Sequence, residues 1–224
     1  MKRRTPLRDR TLPNYTRGEE IMNMVTHIVG FVLGILTLPL GILTALHHQN
    51  TAGIIGSAIY SCSMITVYAI SSIYHGLHPS TGKKVLQILD HCAIYFLICG
   101  SYTPVLLSRF VPVYPTIGWW LLSAEWIIAT LAVTLTAIDL KKFTVFSMIC
   151  YIALGWGIIF FIPQTIAVLS RNGFALLLMG GIVYTIGAVL YGIGSKVRWM
   201  HSVFHIFVLL GSIFQFLAIW LYAL

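Results

Sequence analysis

Long uninterrupted apolar runs constrain this chain more than any other feature. Seven can be delimited, at approximately 22–46, 51–77, 85–108, 116–136, 143–162, 173–193 and 201–224. A helix needs roughly 20 apolar residues to cross a bilayer. In hydrocarbon every backbone N–H and C=O must be satisfied within the protein, and continuous runs achieve that only as helices. A membrane β-barrel would show short stretches of alternating polarity instead. Composition agrees, with 58% of residues apolar and 9% charged, a balance foreign to soluble domains. The connections are short and leave no room for a soluble domain. The expectation is an all-α membrane protein, with a basic tail over 1–20 and a single seven-transmembrane helical bundle over 21–224.

The net charge of +8 does not point to nucleic acid, because the basic residues are segregated by loop. Lys2, Arg3, Arg4, Arg8, Arg10 and Arg17 lie in the tail. Lys83 and Lys84 follow the second run, Lys141 and Lys142 the fourth, and Lys196 and Arg198 the sixth. These segments share one side and hold 12 of the 14 basic residues, leaving Arg109 and Arg171 for the other. Cytoplasmic loops are enriched in Lys and Arg. The N-terminus is therefore expected in the cytoplasm and the C-terminus outside. A cleavable signal peptide is not expected, since the first run follows about 20 polar residues and exceeds a signal-peptide core. The cysteines, Cys62, Cys92, Cys99 and Cys150, all fall within runs and lack Cys-x-x-Cys spacing. They read as small apolar residues rather than disulfides or thiolate ligands.

With that orientation, unusual polar residues gather at one depth. His201 and His205 open the seventh run at i, i+4 spacing, so both imidazoles lie on one helix face. The second run ends with Ser71 and His75, also i, i+4. The third begins with Asp90 and His91. The first begins with Glu20, Asn23 and His27, again on one face. Imidazole is costly in hydrocarbon and calls for a partner. Scattered, individually satisfied groups would not share a level, so a metal site is favoured over separate hydrogen bonds to neighbouring helices. Adjacent Asp90 and His91 point about 100° apart, so at most one is expected to face the centre. His78, His47 and His48 are expected at the surface.

His75, His201 and His205 supply three neutral nitrogens, and three protein ligands with a water in the fourth position form the catalytic zinc pattern. One zinc ion is the first choice, with iron or manganese left open. Asp90 is the nearest carboxylate by level and Glu20 the second. Asp90 could hold the water and act as general base; otherwise it is a helix-start carboxylate favoured by the macrodipole. Ser71 could orient His75 or bond a substrate carbonyl; otherwise it bonds back to its own helix. A haem is disfavoured, because two histidines a turn apart on one helix cannot ligate opposite faces. Glu125 stands alone within the fourth run and reads as hydrogen-bonded inside the bundle. Gly30-x-x-x-Gly34 reads as close helix packing, and Pro39, Pro104 and Pro163 as kinks or helix ends.

Together these positions resemble the hemolysin III family, within the progestin and adipoQ receptor superfamily. The resemblance rests on Glu20, Asn23 and His27; on Ser71 and His75; on Asp90 in Asp-His-Cys-Ala-Ile-Tyr; and on His201 and His205. It covers essentially the whole chain, and the short tail is similar to the bacterial branch. It implies zinc held by His75, His201 and His205, with Asp90 bound through water and Glu20, Asn23 and His27 around the ligands. It further implies a plasma-membrane protein linked to lipid homeostasis, since related receptors and alkaline ceramidases look like lipid amide hydrolases.

Three functions follow as expectations. The first is zinc-dependent hydrolysis of a membrane lipid amide or ester, with Asp90 and Ser71 as catalytic residues. The second is a membrane sensor or receptor stabilised by zinc; the G-protein-coupled and rhodopsin kinds are disfavoured by the internal N-terminus and the absence of lysine from the seventh run. The third is a cytolytic haemolysin, disfavoured because no polar stripe runs the depth of a span. Membrane lipid is the expected substrate or ligand, and the sequence does not set an oligomeric state.

Overall fold

A computed structural model describes residues 5–224, and the described residues are helical with short connections. Helix α1 spans Arg17–His47, α2 Thr51–Gly76, α3 Thr81–Val105, α4 Pro115–Ile138, α5 Thr144–Gly155, α6 Ile162–Gly194 and α7 Met200–Ala218. A wide turn, Leu106–Phe110, carries α3 on to Val113, and another, Ile219–Ala223, ends α7. Six helical stretches are long and apolar enough to cross a membrane: Arg17–His47, Thr51–Gly76, Thr81–Val113, Pro115–Ile138, Thr144–Gly194 and Met200–Ala223.

Helix starts follow local chemistry. Thr16 and Glu19 form a reciprocal capping box, which begins α1 at Arg17, inside the expected tail. Asn50 caps α2 by accepting from the Gly53 N–H, and Ser80 caps α3 by accepting from the Lys83 N–H. Pro115 opens α4, where its missing N–H costs nothing.

The stretch Thr144–Gly194 is 51 residues long, more than twice what one crossing needs. It is not straight. A tight turn at Gly157–Phe161 separates α5 from α6, and Ser170 has φ 66° and ψ 170°, outside helical space. The Trp156 indole N–H donates to Thr185 Oγ1 at 2.9 Å. A straight helix would hold residues 29 apart at a distance of about 43 Å. The chain therefore folds back at Ser170. The connection expected over 163–172 stays helical to Leu169, and Ser170 Oγ accepts the Gly173 N–H at 3.5 Å.

Helix α3 is central: 67% of the most apolar window of its stretch is buried, against 28% for α1. Glycines let the helices meet. A Cβ on Gly30 would lie 2.7 Å from the Tyr68 ring, and one on Gly56 would lie 2.4 Å from Pro104 Cα. This bears out the packing role of Gly30 and Gly34. Hydroxyls tie the middle of the bundle. Tyr60 donates to the Ser212 carbonyl at 2.7 Å, while Tyr68 and Tyr184 meet Ser212 Oγ at 2.6 and 2.7 Å. Buried hydroxyls in an apolar interior need such partners.

All four cysteines are free, but Cys62 is exposed on the outer surface of the bundle rather than buried. Glu125 is buried as expected. Its Oε2 has no hydrogen-bond partner among the described residues, so the expected bonding is not seen there.

Candidate metal centre

The end of α2, the start of α7 and the first turns of α1 converge at the end of the bundle that carries the basic loops. His75, His201 and His205 are 2%, 8% and 1% exposed. One ring nitrogen from each lies within 4.8 Å of the other two. Nε2 of His201 and Nε2 of His205 are 3.1 Å apart. Two ligand nitrogens on a tetrahedral zinc, each about 2.05 Å from the ion, are about 3.3 Å apart. The pair is thus already close to the edge of such a tetrahedron.

Glu20 fixes the third histidine. Its Oε2 meets His75 Nδ1 at 2.6 Å, while its Oε1 accepts from Lys83 Nζ at 2.6 Å. Asn23 Nδ2 lies 3.4 Å from the same His75 nitrogen. A carboxylate on Nδ1 sets the tautomer and leaves Nε2 as a lone-pair donor, the usual support of a metal-binding histidine. His75 Nε2 is indeed buried without a hydrogen-bond partner. The donor set and this orphaned nitrogen both fit a metal ion.

His27 stacks on His205, with centroids 3.8 Å apart and planes 27° apart, and packs edge-on against Tyr68. Neither of its nitrogens has a partner among the described residues. The i, i+3, i+7 set of Glu20, Asn23 and His27 therefore faces the ligand histidines as its spacing predicts.

Ser71 and Asp90 do not touch the three ligand histidines by hydrogen bond. They line an internal cavity of about 130 Å³ whose wall also includes His27 and His205. His91 lines it too. Asp90 and His91 both border this cavity, and neither belongs to the cluster of ligand nitrogens. Its remaining wall is largely apolar and extends to Tyr102, Trp156 and Gln215. His47, His48 and His78 are exposed, as expected.

Four contributors escaped the sequence reading. Lys83 reads as an orientation-setting loop residue, yet it is buried, donates to the Leu77 carbonyl at 2.9 Å and stands 5.3 Å over the Tyr74 ring. Glu19 Oε1 accepts the Trp199 N–H at 2.7 Å. Trp199 is left-handed, with φ 68° and ψ −15°, a conformation that costs about 1–2 kcal/mol in a side-chain-bearing residue. Glu19 thus holds a strained residue that starts the helix bearing His201. Tyr15 stacks on His201, with centroids 4.8 Å and planes 20° apart. Burial raises its phenol pKa, and nearby Tyr191 and the carboxylates of Glu20 and Asp90 push it further, so it stays a neutral donor. The only sequence hint was proximity to the Thr16–Glu19 capping box.

Comparison with known proteins identifies the family. A family model described as haemolysin-III related matches residues 15–216. The chain is 36% identical to the Hemolysin-3 of Bacillus cereus over 206 residues, covering 92% of each chain. It is 36% identical to a Hemolysin-3 homolog of Bacillus subtilis, covering 93% of this chain and 96% of that one. The human monocyte to macrophage differentiation factor is 26% identical over 99% of this chain and 91% of its own. With its apolar helices and this match over most of its length, the chain is a multi-pass membrane protein of the haemolysin-III-related family.

Proposed function

We propose that this protein crosses the bacterial plasma membrane seven times, with its N-terminus in the cytoplasm and its C-terminus outside. It holds one zinc ion on His75, His201 and His205, and hydrolyses a membrane lipid amide or ester. Seven crossings follow if the reversal at Ser170 divides Thr144–Gly194 into two. The segregation of basic loops supports the orientation.

One observation carries the functional reading: three buried imidazoles have clustered nitrogens, and one of them, His205, lines a largely apolar cavity that also holds a carboxylate and a hydroxyl. Zinc in such a site would act as a Lewis acid on a carbonyl and lower the pKa of water toward about 7. The residues divide the remaining work. Glu20 holds the His75 ring through Nδ1. Ser71 on the cavity wall bonds the carbonyl oxygen of the substrate. Asp90, on the same wall, takes a proton as water oxygen bonds to the carbonyl carbon. It returns the proton to the nitrogen or oxygen that leaves as the C–N or C–O bond breaks. The apolar wall accommodates acyl chain and excludes bulk water.

The burial of all three histidines favours a second reading, in which zinc is structural and the bundle senses lipid. The haemolysin name of the Bacillus relatives raises a third, lysis, which the clustering of the histidines and carboxylates at one end does not favour. Metal analysis of purified protein, paired with lipidomic comparison of wild type and His75→Ala, tests the proposal. One zinc per chain and accumulation of one lipid amide or ester in the variant are expected. Zinc-free protein would overturn the site, and an unchanged lipidome would overturn the hydrolase in favour of the sensor.

A further inference from the structure

Residues 5–16, which lead into α1, do not hang free. The Thr5 N–H donates to Asp139 Oδ2 at 2.9 Å, and Arg10 Nη2 donates to the Ile138 carbonyl at 3.2 Å, both at the junction of α4 and α5. Lys84 Nζ donates to the Arg8 carbonyl at 2.8 Å, fastening the same segment to the start of α3. The segment then descends to Tyr15, whose ring lies flat on His201 and 5.8 Å from the His75 ring. It passes into α1 at the Thr16 cap.

This path bears on access. The water-facing approach to the histidines is from the end of the bundle with the basic loops, and that is where the segment lies. His201 is the ligand nearest the surface, at 8% exposure against 1% for His205, and Tyr15 covers it. The bonds that hold the segment are few, and two of them end on backbone carbonyls at the rim. Segments tied down by a handful of polar contacts open locally, at far lower cost than global unfolding.

We propose that residues 5–16 form a strap that closes the water-facing end of the histidine site, with Tyr15 as its plug and Asp139 as its latch. The strap sets how fast ions and water exchange with the site, while the ligands and the groups that orient them set how tightly a metal is held. The location of the plug rests on His201 belonging to the metal site; the closure itself does not require metal.

The test therefore begins without metal. Metal-free full-length protein in detergent is treated with diethyl pyrocarbonate, and modification of His201 is timed by peptide mass spectrometry against exposed His78 as internal reference. Tyr15→Ala is expected to speed His201 modification about tenfold relative to wild type, the loss of one stacked ring and its covering contacts. Tyr15→Phe keeps the ring and is expected to match wild type. Asp139→Ala is expected to lie between them. In zinc-loaded protein, release to excess chelator is expected to accelerate in the same order, with equal zinc content at saturation. Equal His201 rates in wild type, Tyr15→Ala and Asp139→Ala would overturn the strap. Wild type that binds no zinc but shows the ordered modification rates would overturn the metal site alone.

Discussion

The two ends of this bundle treat the same side chain in opposite ways. At one end, His47 and His48 are adjacent, exposed and splayed, with centroids 5.2 Å and planes 55° apart. At the other, His201 and His205 are a helical turn apart, buried, and aim Nε2 atoms at each other. The difference lies in spacing and support. Neighbours i, i+1 diverge by about 100°, whereas i, i+4 residues share a face. The buried pair also has His75 held by Glu20, Glu20 held by Lys83, and His27 stacked behind. The exposed pair can be solvated, so it needs none of this. Burial is what turns histidines from surface groups into a site.

Removing a ligand should break the contrast most sharply. His205→Ala is expected to take zinc from about one per chain to near zero, because a three-nitrogen site cannot lose one without losing its pattern. The double substitution of His47 and His48 by Ala should leave the content unchanged. Elemental analysis reads both, and stoichiometric zinc in His205→Ala would remove that residue from the ligand set.

Packing in the middle of the bundle gives the next largest effect. Gly56→Ala puts a methyl against Pro104 backbone, which cannot yield as a side-chain tip would. It should lower stability by about 3 kcal/mol. Gly192→Ala, with nothing within 4 Å, should be neutral or slightly stabilising through helix propensity. Thermal melting in detergent separates the two, and equal melting would show that α2 and α3 are not packed so closely.

Support around the ligands ranks third. Glu20→Gln keeps the shape but loses the charge that holds His75 Nδ1, and zinc affinity should fall about 10–100-fold. An unaltered affinity in competition titration would mean that packing alone orients the ring.

Much of this was legible in the sequence because periodicity and hydropathy carry it. The apolar runs gave the helices, and the shared faces of His201 with His205 and of Glu20 with Asn23 and His27 placed five of the site's side chains. What stayed hidden has no period. Tyr15 reaches His201 across 186 residues of chain through a polar segment with no pattern, held by single hydrogen bonds. Lys83 looks like any loop lysine until α1 brings Glu20 beside it. The reversal at Ser170 lies in a stretch that remains helical on both sides, so composition suggested a longer connection than the one residue that breaks the helix.

The smallest effect sharpens the comparison at the rim, between a well-solvated carboxylate and one drawn into the structure. Asp139 accepts the Thr5 N–H at 2.9 Å and the Lys142 N–H at 3.2 Å. The Thr5 bond above all, outweighing burial, holds its carboxyl below the ordinary aspartate value of 3.8. A depressed folded-state pKa means that the ionised form stabilises the fold. That contribution is complete above the unfolded value and is lost as pH falls through the folded one. Wild type should therefore exceed Asp139→Ala by about 1 kcal/mol near neutral pH, the size of a typical net hydrogen bond. The gap should close as pH drops below about 4. Melting curves of both proteins between neutral and acid pH check this. A gap that persists undiminished in acid would assign the effect to packing at the α4–α5 junction rather than to the charge that holds Thr5.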